Sequence, residues 1–159
     1  MDIALPTLIV ALTVAGVAFT TPVYAKEGHT IVPARDIKWG PAPASLPPGA
    51  EAAVLFGDPD KDGLFVLRLK FPAGYSVAPH THPVYEVVTV LSGTFYKGMG
   101  ETADRRNARA LPAGSFFALP PDTAHYVFMD EETVIQISTN GPWGITYINP
   151  KDDPRQKTQ

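Results

Sequence analysis

Two histidines and a glutamate stand at short, regular intervals near the middle of this 159-residue chain. His80 and His82 are two residues apart, and Glu86 follows four residues later. Because alternate side chains of a β-strand point to the same face, one strand could present all three from a single side. Two imidazoles and a carboxylate in one place are typical donors for a divalent transition metal. The spacing therefore predicts the beginning of a metal site.

The composition restricts what kind of site this can be. Cysteine is absent, so the chain forms no disulfide, and any metal must be held by histidine and carboxylate rather than by thiolate. The formal net charge is −3, which gives no electrostatic case for nucleic acid as a partner. A chain of this length can enclose one sizeable hydrophobic core. Nucleic acid is therefore not expected as a partner.

The elements that must position the site read as short strands. Seventeen prolines and thirteen glycines separate brief apolar runs, and no segment shows a sustained helical period. This pattern predicts an all-β sandwich or barrel formed by a single domain. The predicted strands cover residues 36–39, 50–56, 64–71, 84–91, 94–97, 109–112, 115–119, 124–129, 133–139 and 143–149.

An acidic segment between two of these strands resembles a calcium loop. Asp58, Asp60, Asp62 and Gly63 reproduce the first half of an EF-hand loop. The twelfth position of that loop should be a bidentate glutamate, and here it is Leu69. The flanking segments also read as strands, so we expect a hairpin turn instead.

Residues 74–93 resemble the first sequence motif of the cupin superfamily. The motif places a glycine five residues before His-x-His, then a glutamate, then a second glycine, and Gly74, His80, His82, Glu86 and Gly93 fit it without a gap. Residues 49–154 as a whole are similar to small single-domain bacterial cupins.

The segment PPDTAH, residues 120–125, resembles the second cupin motif, which supplies a further histidine ligand. By this resemblance His125 joins the site. Two positions depart from the family: Asp122 replaces its glycine, and Met129 replaces a later asparagine. Neither position is usually a ligand, so the departures weaken the match without removing the expected site.

The resemblance implies a double-stranded β-helix, the jelly-roll barrel of cupins, over residues 50–150. It further implies one divalent transition metal held by His80, His82, Glu86 and His125. Imidazole suits Fe, Zn, Ni and Cu, and carboxylate suits Mn, so the identity of the ion stays open. Glu86 is also a candidate catalytic residue, because a carboxylate beside a bound substrate can accept its proton.

Cupins share a fold without sharing one reaction, so two functions are predicted. The first is a metal-dependent enzyme, similar to a dioxygenase or an isomerase, that acts on a small molecule. The alternative is a metal-dependent small-molecule binding or sensor protein without turnover, as in the cupin half of some anti-sigma factors. The sequence shows no lysine or arginine clearly on the inner face, and Gln136 could face either the pocket or the solvent.

The ends of the chain differ from the barrel. Residues 1–25 read as a signal peptide cleaved before Lys26, although the segment before its apolar run, Met1 and Asp2, has no basic residue. Cleavage would place the protein in the periplasm or outside the cell, with no stable membrane association. Residues 26–49 form a proline-rich N-terminal arm, and residues 151–159 form a charged tail expected to be mobile. We expect a homodimer to which the arm contributes.

Overall fold

A computed structural model describes residues 29–156 of the chain, and these residues form eleven strands. The predicted signal peptide, residues 1–25, lies outside the described residues. Within the described range there is no α-helix, and hence no helix long and apolar enough to cross a membrane. The strands are β1 (Gly40–Pro41), β2 (Glu51–Phe56), β3 (Gly63–Phe71), β4 (Ser76–Thr81), β5 (Glu86–Ser92), β6 (Thr94–Met99), β7 (Arg109–Pro112), β8 (Phe116–Leu119), β9 (His125–Phe128), β10 (Thr133–Gly141) and β11 (Thr146–Tyr147).

The strands build two antiparallel sheets. The six-stranded sheet has the order β1-β2-β3-β10-β5-β8, and the five-stranded sheet has the order β11-β4-β9-β6-β7. Consecutive strands repeatedly alternate between the two sheets, as in a jelly roll. The predicted all-β jelly-roll fold is confirmed.

The core lies between the two sheets, where each strand buries alternate side chains. Val88 and Val90 continue inward from Glu86, as their even spacing predicts, and both are fully buried. Gln136 faces the other way, because its Oε1 accepts a hydrogen bond from Arg68 Nε at 3.0 Å on the outer surface. The other buried apolar residues of the two central strands are Phe65, Leu67, Leu69, Phe71, Ile135 and Ile137.

One predicted strand is wrong and another is much shorter than predicted, and the backbone hydrogen bonds show why. Ala34–Asp36 is a 3-10 turn closed by a bond from the Asp36 N–H to the Pro33 carbonyl, so no strand forms over residues 36–39. In the segment 143–149, the Trp143 N–H donates to the Pro59 carbonyl of a facing loop at 2.7 Å. This N–H group therefore cannot bond to a neighbouring strand. Only Thr146–Tyr147 forms a strand in this segment.

The acidic segment is a hairpin turn, as predicted, and it joins β2 to β3. Asp58 Oδ1 accepts a hydrogen bond from the Asp60 N–H at 3.1 Å. Lys61 Nζ forms an ion pair with Asp58 Oδ2 at 2.6 Å, so that carboxylate already has a cation of its own.

The N-terminal arm packs on the barrel rather than acting as a free linker. Leu46 is buried in the core. The Tyr147 hydroxyl donates to the Ser45 carbonyl at 2.8 Å, and the Tyr75 hydroxyl donates to the Pro47 carbonyl. In the described part of the tail, residues 151–156, the chain forms two 3-10 turns, and Arg155 donates to the Ile145 carbonyl.

Candidate metal centre

The predicted ligands come from three strands in two sheets, not from one strand. His80 lies near the end of β4, His82 follows that strand, and His125 opens β9 in the same sheet. Glu86 opens β5 in the opposite sheet, after a bend at residues 83–84. The prediction that Glu86 shares a strand face with the two histidines is therefore wrong. The chain crosses between the sheets at Pro83, and the carboxylate faces the imidazoles from across the barrel.

The four side chains converge in the interior. One ring nitrogen from each of His80, His82 and His125 lies within 4.8 Å of the others, and the three residues are only 1–4% exposed. Glu86 Oε1 lies 3.5 Å from His82 Nε2, and Oε2 lies 3.2 Å from His125 Nε2. The set therefore combines three imidazoles with one carboxylate, as the spacing and the resemblance predicted.

Backbone carbonyls fix the tautomer of each imidazole. His80 Nδ1 lies 2.7 Å from the Ala78 carbonyl oxygen, His82 Nδ1 lies 2.7 Å from that of Gly144, and His125 Nδ1 lies 3.0 Å from that of Thr123. A carbonyl can only accept, so each Nδ1 must carry the hydrogen. In the neutral ring, Nε2 then keeps a lone pair, and this is the arrangement that a metal ligand needs.

Several polar atoms of the site are buried without a hydrogen-bond partner. His82 Nε2, His125 Nε2 and Glu86 Oε2 have no hydrogen-bond partner. Leaving such atoms unsatisfied costs about 1–3 kcal/mol each, and more for a charged group. A divalent cation among them would accept all of these lone pairs at once, so the residues fit a metal ion.

The protonation states suit the same role. Burial, followed by the neighbouring His125 and His82, lowers the pKa of His80 to about 3. Burial also lowers the pKa of His82. Burial alone would raise the pKa of Glu86, but the surrounding histidines, His125 foremost, outweigh it and hold the pKa below its usual value. Near neutral pH the site therefore presents neutral imidazoles at His80 and His82 and an ionised carboxylate at Glu86.

Two residues outside the ligand set hold His82 in place. The Trp143 indole stacks on its ring with centroids 4.8 Å apart and planes 19° apart. The Asp122 N–H donates to the His82 carbonyl at 2.9 Å. Asp122 has φ +57°, a left-handed conformation that glycine adopts freely and aspartate tolerates. The departure from the cupin glycine thus leaves the turn before His125 intact.

One small cavity touches the ligands, and a much larger cavity is lined by residues next to them in the sheets. Beside the ligands the interior is filled by apolar side chains and leaves a cavity of only about 20 Å³. A cavity of about 570 Å³ opens between β7 and β8, and Lys97 and Arg109 line it. This corrects the expectation that no basic residue lies on the inner face. The signal was available: Lys97 is two residues from the buried Phe95 and so shares its face.

Residues 22–146 match the family described as "Domain of unknown function (DUF4437)". Germin-like protein 3-1 from Oryza sativa subsp. japonica is 29% identical over 140 residues, which are 80% of this chain and 58% of that protein. The chain thus spans less than two thirds of the length of this relative.

Solved structures are similar in fold. The polyketide cyclase RemF from Streptomyces resistomycificus superposes with a TM-score of 0.66 and 16% identity, over 82% of this chain and 93% of that one. An RmlC-like cupin from Shewanella frigidimarina NCIMB 400 superposes with a TM-score of 0.53 and 16% identity, over 69% and 87%. At these identities the likeness concerns architecture alone. The chain therefore belongs to the DUF4437 family, and its jelly-roll fold is that of the cupin superfamily.

Proposed function

We propose that the protein binds one divalent transition metal through His80, His82, His125 and Glu86, and that it is a metal-dependent enzyme acting on a small molecule. The observation that carries the proposal is the convergence of buried, unsatisfied Nε2 and carboxylate atoms. Fe, Mn, Zn, Ni and Cu all accept such donors. The reaction class we favour is dioxygenase-like or isomerase-like. A bound metal would supply Lewis acidity or redox chemistry and would hold a substrate oxygen.

In this proposal the chain's own residues have separate tasks. The three histidines bind the ion, and the carbonyls behind them keep each ring in one tautomer. Glu86 is ionised and buried, so it can accept a proton from a bound substrate carbon or hydroxyl. The apolar walls exclude bulk water and so strengthen every charge interaction inside.

The test begins with metal analysis of the protein purified from its native compartment. The metal-loaded protein is then offered aromatic diols and keto-enols while oxygen uptake is recorded. In parallel, NMR in D2O follows exchange of the α-protons of the keto-enols, which detects an isomerase-like proton transfer without oxygen. The variant H82A, which lacks a ligand, serves as the control. Loaded protein that retains its metal yet shows neither oxygen uptake nor proton exchange would argue against an enzyme of either class.

One observation favours the second candidate, a metal-dependent binding or sensor protein without turnover. The cavity beside the ligands, about 20 Å³, is about the space of one water molecule. A substrate that must reach the ion has to enter from the larger cavity or displace side chains. Tight binding of a panel compound with no chemical change over hours would favour this candidate.

A further inference from the structure

The cavity between β7 and β8 contains none of the four ligands in its lining, but two of its lining residues pair with ligands across the sheets. In the ladder between β5 and β8, Glu86 pairs with Leu119, and in the ladder between β6 and β9, His125 pairs with Met99. Residues that pair directly across a ladder project to the same face of the sheet. Leu119 and Met99 both line the cavity, so it opens immediately beside the carboxylate and one imidazole of the metal centre.

Two cations face each other on the wall of this cavity. Lys97 pairs directly with Arg109 across β6 and β7. Like charges at such a position repel and destabilise the ladder. No acidic residue lines the cavity, and within residues 29–156 neither cation forms an ion pair with a carboxylate. The pair therefore has no carboxylate within ion-pair distance, and the more distant Glu86 carboxylate only partly offsets the effect of burial on the pKa of Lys97.

The surroundings of Lys97 also favour a bound anion beside its ammonium group. Its Nζ lies 3.0 Å from Met99 Sδ and 5.0 Å from the centroid of the Phe117 ring. A thioether and an aromatic face solvate an ammonium group less well than water does. Burial correspondingly lowers the pKa of Lys97. An anionic ligand at this position would restore the lost solvation.

Apolar side chains form another part of the wall, beside the polar Asn107 and Ser115, and the cavity is large enough for an organic body. Leu111, Phe117 and Leu119 line it, and Phe117 stacks on Phe95 of the core at 5.9 Å. A volume of about 570 Å³ lies within the range of small-molecule sites. A bare inorganic ion would leave these apolar side chains without contacts, whereas a carboxylate with a hydrocarbon body would use both parts of the wall.

We propose that the cavity between β7 and β8 binds a small carboxylate. The anionic group would lie between Lys97 and Arg109, and the apolar body would lie against Phe117 and Leu111. The inference rests on the proposed function in one respect: such a carboxylate would be the substrate class of the metal centre. The bound molecule would point its far end toward Glu86 and His125.

The test measures binding without requiring turnover. Zinc-loaded protein carrying 13C-methyl methionine is titrated with benzoate, with the uncharged benzamide and with inorganic phosphate. The dissociation constants come from calorimetry, and the Met99 methyl resonance reports the place of binding. We expect benzoate to shift this resonance and to bind at least about tenfold more tightly than benzamide, as a charge-assisted hydrogen bond implies. Phosphate should bind more weakly than benzoate because it has no apolar body.

Variants decide whether the two cations are responsible. K97M removes one charge at nearly the same side-chain length, R109Q replaces the other charge by a shorter neutral polar group, and each should weaken benzoate binding by about tenfold or more. K97R should retain binding. K151Q removes an exposed lysine of the tail and should leave the constant unchanged.

Three results would overturn the inference. They are equal binding of benzoate and benzamide, phosphate binding as tight as benzoate, and benzoate binding that K97M and R109Q leave intact but loss of zinc abolishes. The last result would place the carboxylate on the metal instead. A protein that binds benzoate as expected but turns over no substrate would refute the enzyme proposal and leave this one standing.

Discussion

Glu86 Oε2 and His125 Nε2 lie 3.2 Å apart although their strands belong to opposite sheets. Three histidines can hold a divalent ion without the carboxylate, so Glu86 is expected to tune the ion more than retain it. E86Q keeps the side chain's size but removes its charge and basicity. This variant should retain most of its metal and lose any activity, whereas H82A should lose the metal. Metal content per chain, measured by mass spectrometry, tests both.

The matched control is E101Q, which alters an exposed glutamate and should change neither quantity. Equal loss of metal from E86Q and H82A would show that Glu86 is an ordinary structural ligand, and the general-base role would lose its support.

The stability of the metal-free protein should fall in acid. The pKa of His80 is lowered to about 3 in the folded state, against an ordinary value of 6.5, so the unfolded chain binds the proton more readily. The stabilisation is complete above pH 6.5 and is lost as the pH falls toward 3. Once the pH is well below 6.5, this group alone contributes a slope of about 1.4 kcal/mol per pH unit. Urea unfolding at several pH values measures it.

The variant H80Q should flatten this dependence, and H29Q, which alters an exposed histidine, should not. An unchanged slope in H80Q would mean that another group controls the acid response.

The turn before His125 depends on a left-handed residue at position 122. D122G should be as stable as the natural chain or gain up to about 1 kcal/mol, because glycine adopts φ +57° without strain. D122V should lose about 1–2 kcal/mol, because a β-branched residue resists that conformation. Thermal unfolding of both variants gives the comparison. A fully tolerated valine would show that the turn can change its backbone conformation.

We expect the protein to be a homodimer formed by strand exchange or sheet stacking, with the arm before Gly49 contributing. Phe56 and Leu64 flank the β2–β3 turn and are 44% and 55% exposed. Burying them in a dimer would stabilise it by about 25 cal/mol per Å² of apolar surface. Sedimentation equilibrium should give twice the mass of one chain, and the double variant F56S/L64S tests whether these residues take part. The mass of a single chain throughout the micromolar range would rule the dimer out.

We also expect export, with a mature N-terminus near Lys26. Mass spectrometry of the protein isolated from the periplasm should show a chain shortened by residues 1–25. An intact Met1 on a cytosolic species would exclude the signal peptide.

Much of the architecture could be predicted because it depends on local periodicity. Alternation along residues 64–71 and 133–139 produced two nearly correct strands, since apolar side chains two apart bury on one face. The cupin motifs selected the four residues that the structure brings together. Trp143 shows the limit: its environment depends on the Pro59 carbonyl and on His82, both distant in sequence.

The position of Glu86 shows a second limit. Period-two spacing predicts a shared face only while the strand continues, and the chain leaves β4 after Thr81. Where a strand ends is set by pairing with other strands, which no local pattern contains. The pairing of Lys97 with Arg109 could not be predicted for a related reason. Their opposition exists only in the register between β6 and β7, although the inward direction of Lys97 follows from its spacing to Phe95.

The hydrogen bonds that orient the three ligand imidazoles all end on main-chain oxygens, those of Ala78, Thr123 and Gly144. Every amino acid carries such an oxygen, so replacing any of these three side chains leaves the acceptor in the chain. Point substitutions at these three positions therefore leave the hydrogen bonds of the imidazoles in place. If a carboxylate side chain were the acceptor instead, one substitution could remove it. A change that redirects the backbone would disturb the geometry of the imidazoles, and so would the loss of the Trp143 ring that stacks on His82. For anyone redesigning this barrel, positions 78, 123 and 144 can therefore be substituted without removing the acceptors that orient the ligand imidazoles.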